Sequence, residues 1–419
     1  MNKITGAKKG SFMLETFGCK TNRADSAKIA AFLAGEGWRP SGEPSLYIVN
    51  SCCVTGRSEN RVLKRALALK KNHPASEIVL SGCVTDSLKA AAVAAGICVR
   101  SYPLNANAPS GFVMPGLSKR RGRAGRQRYF LKIQNGCDNF CAYCVVPLLR
   151  GPSVSAGAET ILRELAALEA SGECPSEIVL TGTNINQYHH LGYDLLDLIR
   201  AIRKKYSSRI RLGSLEMPLS GDFIRELSTV PDICPHFPVP LESGSDRVLK
   251  KMRRNYSVSG FMKILEEIRK YFDNPAITTD IIYGFPGESE DDFNKTLNVL
   301  AAAGFSKTHI FPFSPRPGTL AALDKPLPPP VMKERKARLS AASEKASEIY
   351  RRQFIGGELE VVAEVERGGW FYGTSGNYLK VRFVPDNTLS GDIVRVAVEG
   401  LSSGMMSGSV RETLWTATR

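Results

Sequence analysis

Long apolar runs are missing: nowhere in the 419 residues do 18 apolar residues follow one another, which excludes a membrane-spanning helix read from hydropathy. The first ten residues carry Lys3, Lys8 and Lys9 and no apolar core of an export signal, so a cytoplasmic location and no membrane partner are expected. Histidine is scarce, with only His73, His189, His190, His236 and His309, which leaves little for a histidine-rich metal centre. Acidic residues are scarce locally. Residues 1–117 hold 15 Lys and Arg against 7 Asp and Glu, residues 118–128 hold 6 against none, and residues 129–419 hold 35 against 34. The net charge of +15 is therefore N-terminal and points to a polyanionic partner. The Gly-punctuated stretch 118–128 (SKRRGRAGRQR) reads as a basic linker, with Arg120, Arg121 and Arg123 as candidates for gripping phosphate; a solvated linker is the plain alternative. A composition of 43% hydrophobic and 23% charged residues excludes wholesale disorder or a fibrous repeat.

From residue 129 strand-like runs alternate with amphipathic ones, the rhythm of parallel βα units. Six strands are expected at 129–134, 177–181, 209–214, 237–241, 276–281 and 308–313, enough for a partial barrel. Ser289 and Asp292 make a capping box before one of the helices. The Pro-rich stretch 326–330 ends the pattern, and a charged helix over about 331–354 leads away. The final 65 or so residues turn to short β runs at 358–366, 378–384 and 392–398, a small antiparallel barrel. Its aromatic and basic residues Trp370, Tyr372, Tyr378, Lys380 and Arg382 suit either an RNA-binding face or a core. The N-terminal part repeats βα units with strands at 12–16, 46–50 and 78–81, a three-layer α/β domain. The domains expected are thus 1–117, the linker 118–128, a core over 129–352 and the barrel 353–419.

Ten cysteines in a reducing compartment are more often metal ligands or buried thiols than disulfides. Cys137, Cys141 and Cys144 form CxxxCxxC directly after a strand, and three thiolates on one tight loop call for a metal. Structural zinc normally takes four protein ligands, and no histidine is near in sequence, so zinc is disfavoured without being excluded. A 4Fe-4S cluster on three cysteines keeps one iron open for a further ligand. A second set emerges from strand positions. Cys19, Cys52 and Cys83 each follow an N-terminal strand, at intervals of 33 and 31 residues, and parallel repeats bring successive strand ends to one sheet edge. Cys53 is adjacent, but neighbours point in opposite directions and one of the pair is expected to ligate. Cys98, Cys174 and Cys234 fit neither set and read as buried small hydrophobes.

The motifs TFGCKTN at 16–22, NSCCVT at 50–55, SGCVT at 81–85, the CxxxCxxC loop and the terminal small barrel resemble the methylthiotransferases of the radical S-adenosylmethionine (SAM) superfamily across essentially the whole chain. The resemblance implies an α/β protein with an N-terminal domain holding an auxiliary cluster, a central partial (βα)6 radical SAM barrel and a C-terminal TRAM barrel. It also implies two 4Fe-4S clusters, one radical and one auxiliary, with metal ligands Cys137, Cys141, Cys144 and Cys19, Cys52, Cys83; the family pattern selects Cys52 over Cys53. Cys19-Lys20-Thr21-Asn22, ICPHF at 233–237, the run 243–254 and ITTDIIYGFPGE at 277–288 look most like the branch acting on tRNA threonylcarbamoyladenosine, placing a methylthio group on carbon 2 of the modified adenine beside the anticodon. An unactivated C–H bond makes a cofactor-derived radical a reasonable requirement.

SAM contacts expected from the same resemblance are Tyr143 inside the cluster loop and Gly182 and Thr183 in the LTGTN segment. Glu216, Glu242 and Asp280 lie at or near strand ends, where barrel sites collect polar groups. Arg316 in SPRPGT is a candidate substrate contact. Glu242 stands where the family usually has Gln, SLEMP at 214–218 interrupts the usual SLEP, and Arg150-Gly151 lacks the Ser-Arg that usually follows. Partners implied are tRNA carrying threonylcarbamoyladenosine and an electron donor such as flavodoxin or ferredoxin. Two other readings remain open: a sister methylthiotransferase acting on isopentenylated tRNA adenosine or a ribosomal-protein aspartate, and a non-catalytic RNA-binding protein with structural metal sites.

Overall fold

The computed structural model describes residues 10–102 and 127–416; Arg120, Arg121 and Arg123 lie outside them. Three units follow one another along the chain.

The N-terminal unit is a five-stranded parallel sheet whose spatial order is Arg39–Pro40, Ser11–Thr16, Leu46–Ser51, Glu77–Gly82, Cys98–Val99. Alternation along Leu46–Ser51 decides its layers. Leu46 and Ile48 pack with Ile29, Ala30 and Leu33 of helix Lys20–Gly35, while Tyr47 and Val49 pack with Val62, Ala66 and Leu69 of helix Gly56–Asn72 on the other face. The chain moves to one side of Ser11–Thr16 and then back to the other, so the order reverses between that strand and Leu46–Ser51. Such a reversal opens a crevice at the strands' carboxyl ends.

The central unit places Arg128–Lys132, Glu177–Thr181 and Arg209–Leu212 in one parallel ladder and His236–Pro238, Ala276–Tyr283 and Lys307–Pro312 in another. The two join where Cys234 donates its N–H to the Ile210 carbonyl (2.8 Å). The outermost strands, Arg128–Lys132 and Lys307–Pro312, do not pair, which leaves the barrel open on one side. Its core is continuous: Leu180, Ile210, Leu212, Phe237 and Ile277 from the strands meet Leu165, Ile199, Ile202, Ile224, Phe261 and Leu265 from the surrounding helices.

Helix Pro329–Arg352 leads to a closed five-stranded barrel of Glu358–Arg367, Trp370–Ser375, Lys380–Val384, Met405–Trp415 and Ile393–Ser402 in spatial order. It departs from the expected all-antiparallel barrel at one seam, since Lys380–Val384 and Met405–Trp415 run parallel. This barrel docks on the amino ends of the central strands. Arg209 and Arg211 reach the carbonyls of Thr374, Ser375 and Gly376 at 2.8–2.9 Å, and Tyr378 stacks on His236 with centroids 4.4 Å apart. The aromatic-basic group is thereby divided: Trp370 and Arg382 pair with each other at 5.0 Å, while Tyr378 is spent on the domain junction. Among the described residues no helix is long and apolar enough to cross a membrane.

Candidate active site

Cys19, Cys52 and Cys83 stand at the reversal in the N-terminal sheet, where the backbone is shaped to bring them together. Gly18 has φ +100°, and a Cβ added there would fall 2.7 Å from the Cys52 sulfur. Gly82, φ +82°, would similarly drive a Cβ into Asn50. Two glycines thus let the turns before Cys19 and Cys83 close on the strand between them. Asn22 fastens the result, its amide donating to the carbonyls of Phe17 (2.8 Å) and Ser51 (2.6 Å). Cys53 points the other way, into the core between sheet and helix, with its thiol on the Cys83 carbonyl (2.7 Å). Burial, with repulsion from Cys19 and Cys83 after it, pushes the Cys52 thiol up to about 11. A positive centre is what would draw these protons off.

The barrel set arises from a single loop. Gln134 anchors it: its amide donates to the Gly136 carbonyl (2.7 Å) and its oxygen accepts from the N–H groups of Thr183 (2.9 Å) and Asn184 (3.0 Å). The Cys144 N–H closes on the Cys141 carbonyl (3.0 Å), and Ala142 is pinned to Met252 (2.9 Å). Burial pushes Cys144 up to about 12, with Cys141 and Cys137 adding repulsion. Among the described residues no three His, Cys, Asp or Glu side chains close on one point as ligands of a single ion would. A cubane takes each thiolate at a separate iron, so three cysteines of a loop or of neighbouring strand ends fit it chemically.

The carboxyl edges of the two units face each other. Thr21 donates to the Gly182 carbonyl (2.8 Å), Gly56 N–H to the Ser314 hydroxyl (3.0 Å), and Lys132 pairs with Asp25. Arg150 spans the seam with Cys83 Sγ (3.2 Å), Asn22 (2.6 Å), Asp25 (3.0 Å) and Asn135 (2.7 Å). Between the edges lies a cavity of about 160 Å³ lined by Val54 and Thr55, just past Cys52, and by Tyr143, Cys144, Glu242, Asp280 and Phe313. One cavity thus touches both cysteine-bearing loops.

Of the expected SAM contacts, Tyr143, Glu242 and Asp280 line this cavity; Gly182 and Thr183 stand at the seam instead, held by Thr21 and Gln134. Glu216 lies beside the barrel set, tied to Arg254, whose other arm donates to Cys141 Sγ (3.3 Å). Three acids, Glu242 buried and Glu216 and Asp280 half-buried, therefore share one arginine. Burial pushes Glu242 up to about 8, with Asp280 and Glu216 repelling its charge and Arg254 opposing. Burial likewise pushes Asp280 up to about 6. A pocket with surplus carboxyls accommodates a cationic ligand, which SAM is through its sulfonium and amine. Glu242 also holds a positive φ of 62°, an uncommon conformation for a non-glycine residue that fixes its side chain at the cavity wall.

Arg316 requires correction as a substrate contact. It is only 4% exposed and pairs with Glu59, which Thr85 also reaches, so its guanidinium clamps the SPRPGT turn to the N-terminal unit. Cys98 is exposed on an edge strand and Cys174 half-buried, leaving Cys234 as the one of the three leftover cysteines that is buried. Sequence reasoning missed Arg150 as a cross-domain tie, and it met Arg254 only as the last residue of the run 243–254, with no role of its own.

A partial parallel barrel with a three-cysteine loop at its carboxyl edge, joined to a second cysteine-bearing sheet, defines the class: a radical SAM enzyme with an added N-terminal domain. Comparison with known proteins agrees. Residues 131–300 match the radical SAM superfamily and residues 11–100 the uncharacterized protein family UPF0004. The chain is 35% identical to the threonylcarbamoyladenosine tRNA methylthiotransferase MtaB of Thermotoga maritima, over 93% of this chain and 94% of that one. It is 33% identical to the tRNA-2-methylthio-N(6)-dimethylallyladenosine synthase of Corynebacterium efficiens, over 93% and 82% respectively. A solved structure of the radical SAM methyltransferase TsrM from Kitasatospora setae shares the fold, with a TM-score of 0.51 at 13% identity, covering 74% of this chain and 77% of that one. The chain belongs to the radical SAM methylthiotransferase family. Membership implies a 4Fe-4S cluster and SAM.

Proposed function

We propose that this enzyme adds a methylthio group to carbon 2 of N6-threonylcarbamoyladenosine beside the tRNA anticodon. The cavity carries the reading. It lies between Val54-Thr55 and Tyr143-Cys144, so a purine entering it would meet the radical side on one wall and the sulfur-delivering side on the other. Cys137, Cys141 and Cys144 would hold the cluster that binds SAM, and Cys19, Cys52 and Cys83 the auxiliary cluster. When bound, the radical cluster and SAM supply the one-electron chemistry that opens an unactivated C–H bond. An external flavodoxin or ferredoxin would provide the electron, and the setting would be cytoplasmic.

The chain's own residues position and shield. Tyr143 packs edge-on to Phe285 (6.5 Å), and Phe285 on Phe313 (5.4 Å), an apolar wall that keeps water from the reacting carbon. Glu242 and Asp280 on the cavity wall, with Glu216 beside the cysteine loop, would favour a cationic cofactor, and Arg254 offsets only part of their charge. Arg150, Thr21, Lys132 and Arg316 hold the two edges in register, so the purine need not travel between the sites. Among relatives of similar identity both threonylcarbamoyl and dimethylallyl adenosine occur in the names. The Cys19-Lys20-Thr21-Asn22 motif favours the former. Nucleoside mass spectrometry of total tRNA, from cells with and without the gene, tests this. The reading expects loss of 2-methylthio-N6-threonylcarbamoyladenosine with its unthiolated precursor accumulating. Loss of the methylthio-dimethylallyl nucleoside instead would overturn the substrate assignment.

A further inference from the structure

The cysteine loop of the barrel has an outer side besides the one it turns to the cavity. Ala142 is bonded on both flanks: its N–H donates to the Met252 carbonyl (2.9 Å), and its carbonyl accepts from the Ala321 N–H (2.8 Å). Ala142, Met252 and Ala321 all turn into one small core with Phe285 and Phe313. Phe313 is also a wall of the cavity. The exposed neighbours of these three buried residues therefore lie on the face turned away from that core.

That face is apolar at its centre. Phe140 of the loop is 57% exposed, and on the turn Leu320–Leu323 both leucines are exposed, Leu323 by 86%. Pro315 and Pro317 join the two leucines around a hollow of about 490 Å³. The other flank is basic. Lys250, Lys251 and Arg253 are exposed, at and just past the end of helix Asp246–Lys251. Arg247 is paired with Asp292, but among the described residues no carboxylate pairs with these three. The acids of the same segments are turned elsewhere: Asp246 accepts from the Val258 N–H (2.7 Å) and Asp138 from the Ser153 N–H (3.0 Å). Asp324, after Leu323, is followed by Lys325.

An exposed apolar patch rimmed by charge marks an interaction surface. The leucines and Phe140 call for an apolar surface to cover them, which a sugar-phosphate backbone does not offer, and the three cations call for carboxylates. The place is equally specific. Half-buried Cys141 lies between Phe140 and Ala142, and Arg254, beside the basic rim, donates to its sulfur (3.3 Å). Electron transfer weakens steeply with distance, so a carrier has to reach this loop from a side that the cavity does not use. Encounters of that kind are small, weak and steered by charge.

We propose that this patch is the docking surface for an acidic one-electron carrier protein that serves the cluster held by Cys137, Cys141 and Cys144. This rests on the reading above that a protein supplies the electron. One electron leaves the reduced carrier and enters the cluster, and no bond or proton moves in that step.

The test uses the reconstituted full-length enzyme with two probes, a flavodoxin and a 2Fe-2S ferredoxin. Dissociation constants for the oxidised carriers are measured anaerobically at low and high salt, and 5′-deoxyadenosine formation is compared between reduced carrier and dithionite. Wild type should bind at least one carrier, more weakly as salt rises. The triple variant Lys250→Glu, Lys251→Glu, Arg253→Glu should bind that carrier about tenfold or more weakly, and so should Leu323→Asp on the apolar side. Both should keep dithionite-driven cleavage and affinity for an anticodon stem-loop RNA within about twofold of wild type. Carrier affinity unchanged in both variants would overturn the proposal. So would loss of RNA affinity with carrier affinity intact, which would give the patch to the nucleic acid. If wild type binds neither carrier and takes electrons from dithionite alone, the reading of a protein donor fails and the proposal with it, and that is visible before any variant is made.

Discussion

The two cysteine sets reach the same donor count by opposite routes. In the barrel, Cys137, Cys141 and Cys144 share one loop pinned by Gln134, and the chain needs only local geometry to gather them. In the N-terminal sheet, Cys19, Cys52 and Cys83 come from three strand ends and meet only when the sheet has formed. Each set has one arginine on one sulfur, Arg254 on Cys141 at 3.3 Å and Arg150 on Cys83 at 3.2 Å. Their surroundings differ in sign. Arg254 serves three carboxyls that outnumber it, whereas Asp25, the acid beside Arg150, is shared with Lys132. The barrel site suits a cationic ligand, and the N-terminal site keeps surplus positive charge near its sulfurs. That contrast suits a division of labour between SAM cleavage and sulfur handling.

The largest expected effects come from breaking one set at a time. Replacing Cys137, Cys141 or Cys144 by Ala should abolish reductive SAM cleavage, measured as 5′-deoxyadenosine release. Replacing Cys19, Cys52 or Cys83 should abolish methylthiolation while 5′-deoxyadenosine still forms. A Cys83→Ala enzyme that methylthiolates fully would erase the distinction.

An intermediate effect is expected at the arginines. Arg150→Met removes the guanidinium from Cys83 and from buried Asp25, and breaking such a buried pair typically costs about 3–5 kcal/mol. Chemical denaturation of the apoprotein should show that loss. With a hydrogen bond to sulfur gone, the auxiliary signal in a spectroscopic redox titration should move to lower potential, leaving the radical-cluster signal in place. Arg254→Met should do the reverse.

The smallest effect sharpens the electrostatic side of the contrast. Glu242 has a folded pKa of about 8 against an ordinary 4.5, so the native state binds more protons than the unfolded one between those values. Its contribution therefore falls as pH rises through that window. Glu242→Gln removes the titration, and the apoprotein Tm of the variant relative to wild type should rise from pH 5 to pH 8. A constant gap would mean Glu242 is ionised throughout. The same shift accounts for Glu where the family usually has Gln: near neutral pH a protonated carboxyl is, like an amide, an uncharged hydrogen-bonding group.

Much of this architecture was legible in the residues. Alternating runs in 129–313 located all six barrel strands to within a few residues, because each is a short run with apolar residues facing the core, bounded by turns and separated from the next by an amphipathic helix or a turn. The strand-end repeat located Cys19, Cys52 and Cys83. The C-terminal barrel was half read. Strands Trp370–Ser375 and Met405–Trp415 were missed, one being short and hemmed by Gly368-Gly369, the other interrupted by Ser, Gly, Arg and Glu. Their β character comes from closing a barrel, which is a long-range event. Arg150, Arg254, Glu59 and Lys20 were illegible for the same reason, since each has a partner on a distant element, 26 positions away for Glu59 with Thr85 and 358 for Lys20 with Tyr378.

The central claim is that two three-cysteine sites of different role face one cavity. Iron and acid-labile sulfide, counted together with Mössbauer spectra on anaerobically reconstituted protein, test it most directly. The account predicts about eight iron and eight sulfide per wild-type chain as two 4Fe-4S clusters, falling to about four of each when Cys19, Cys52 and Cys83 are all replaced by Ala. About four iron in both proteins would contradict it.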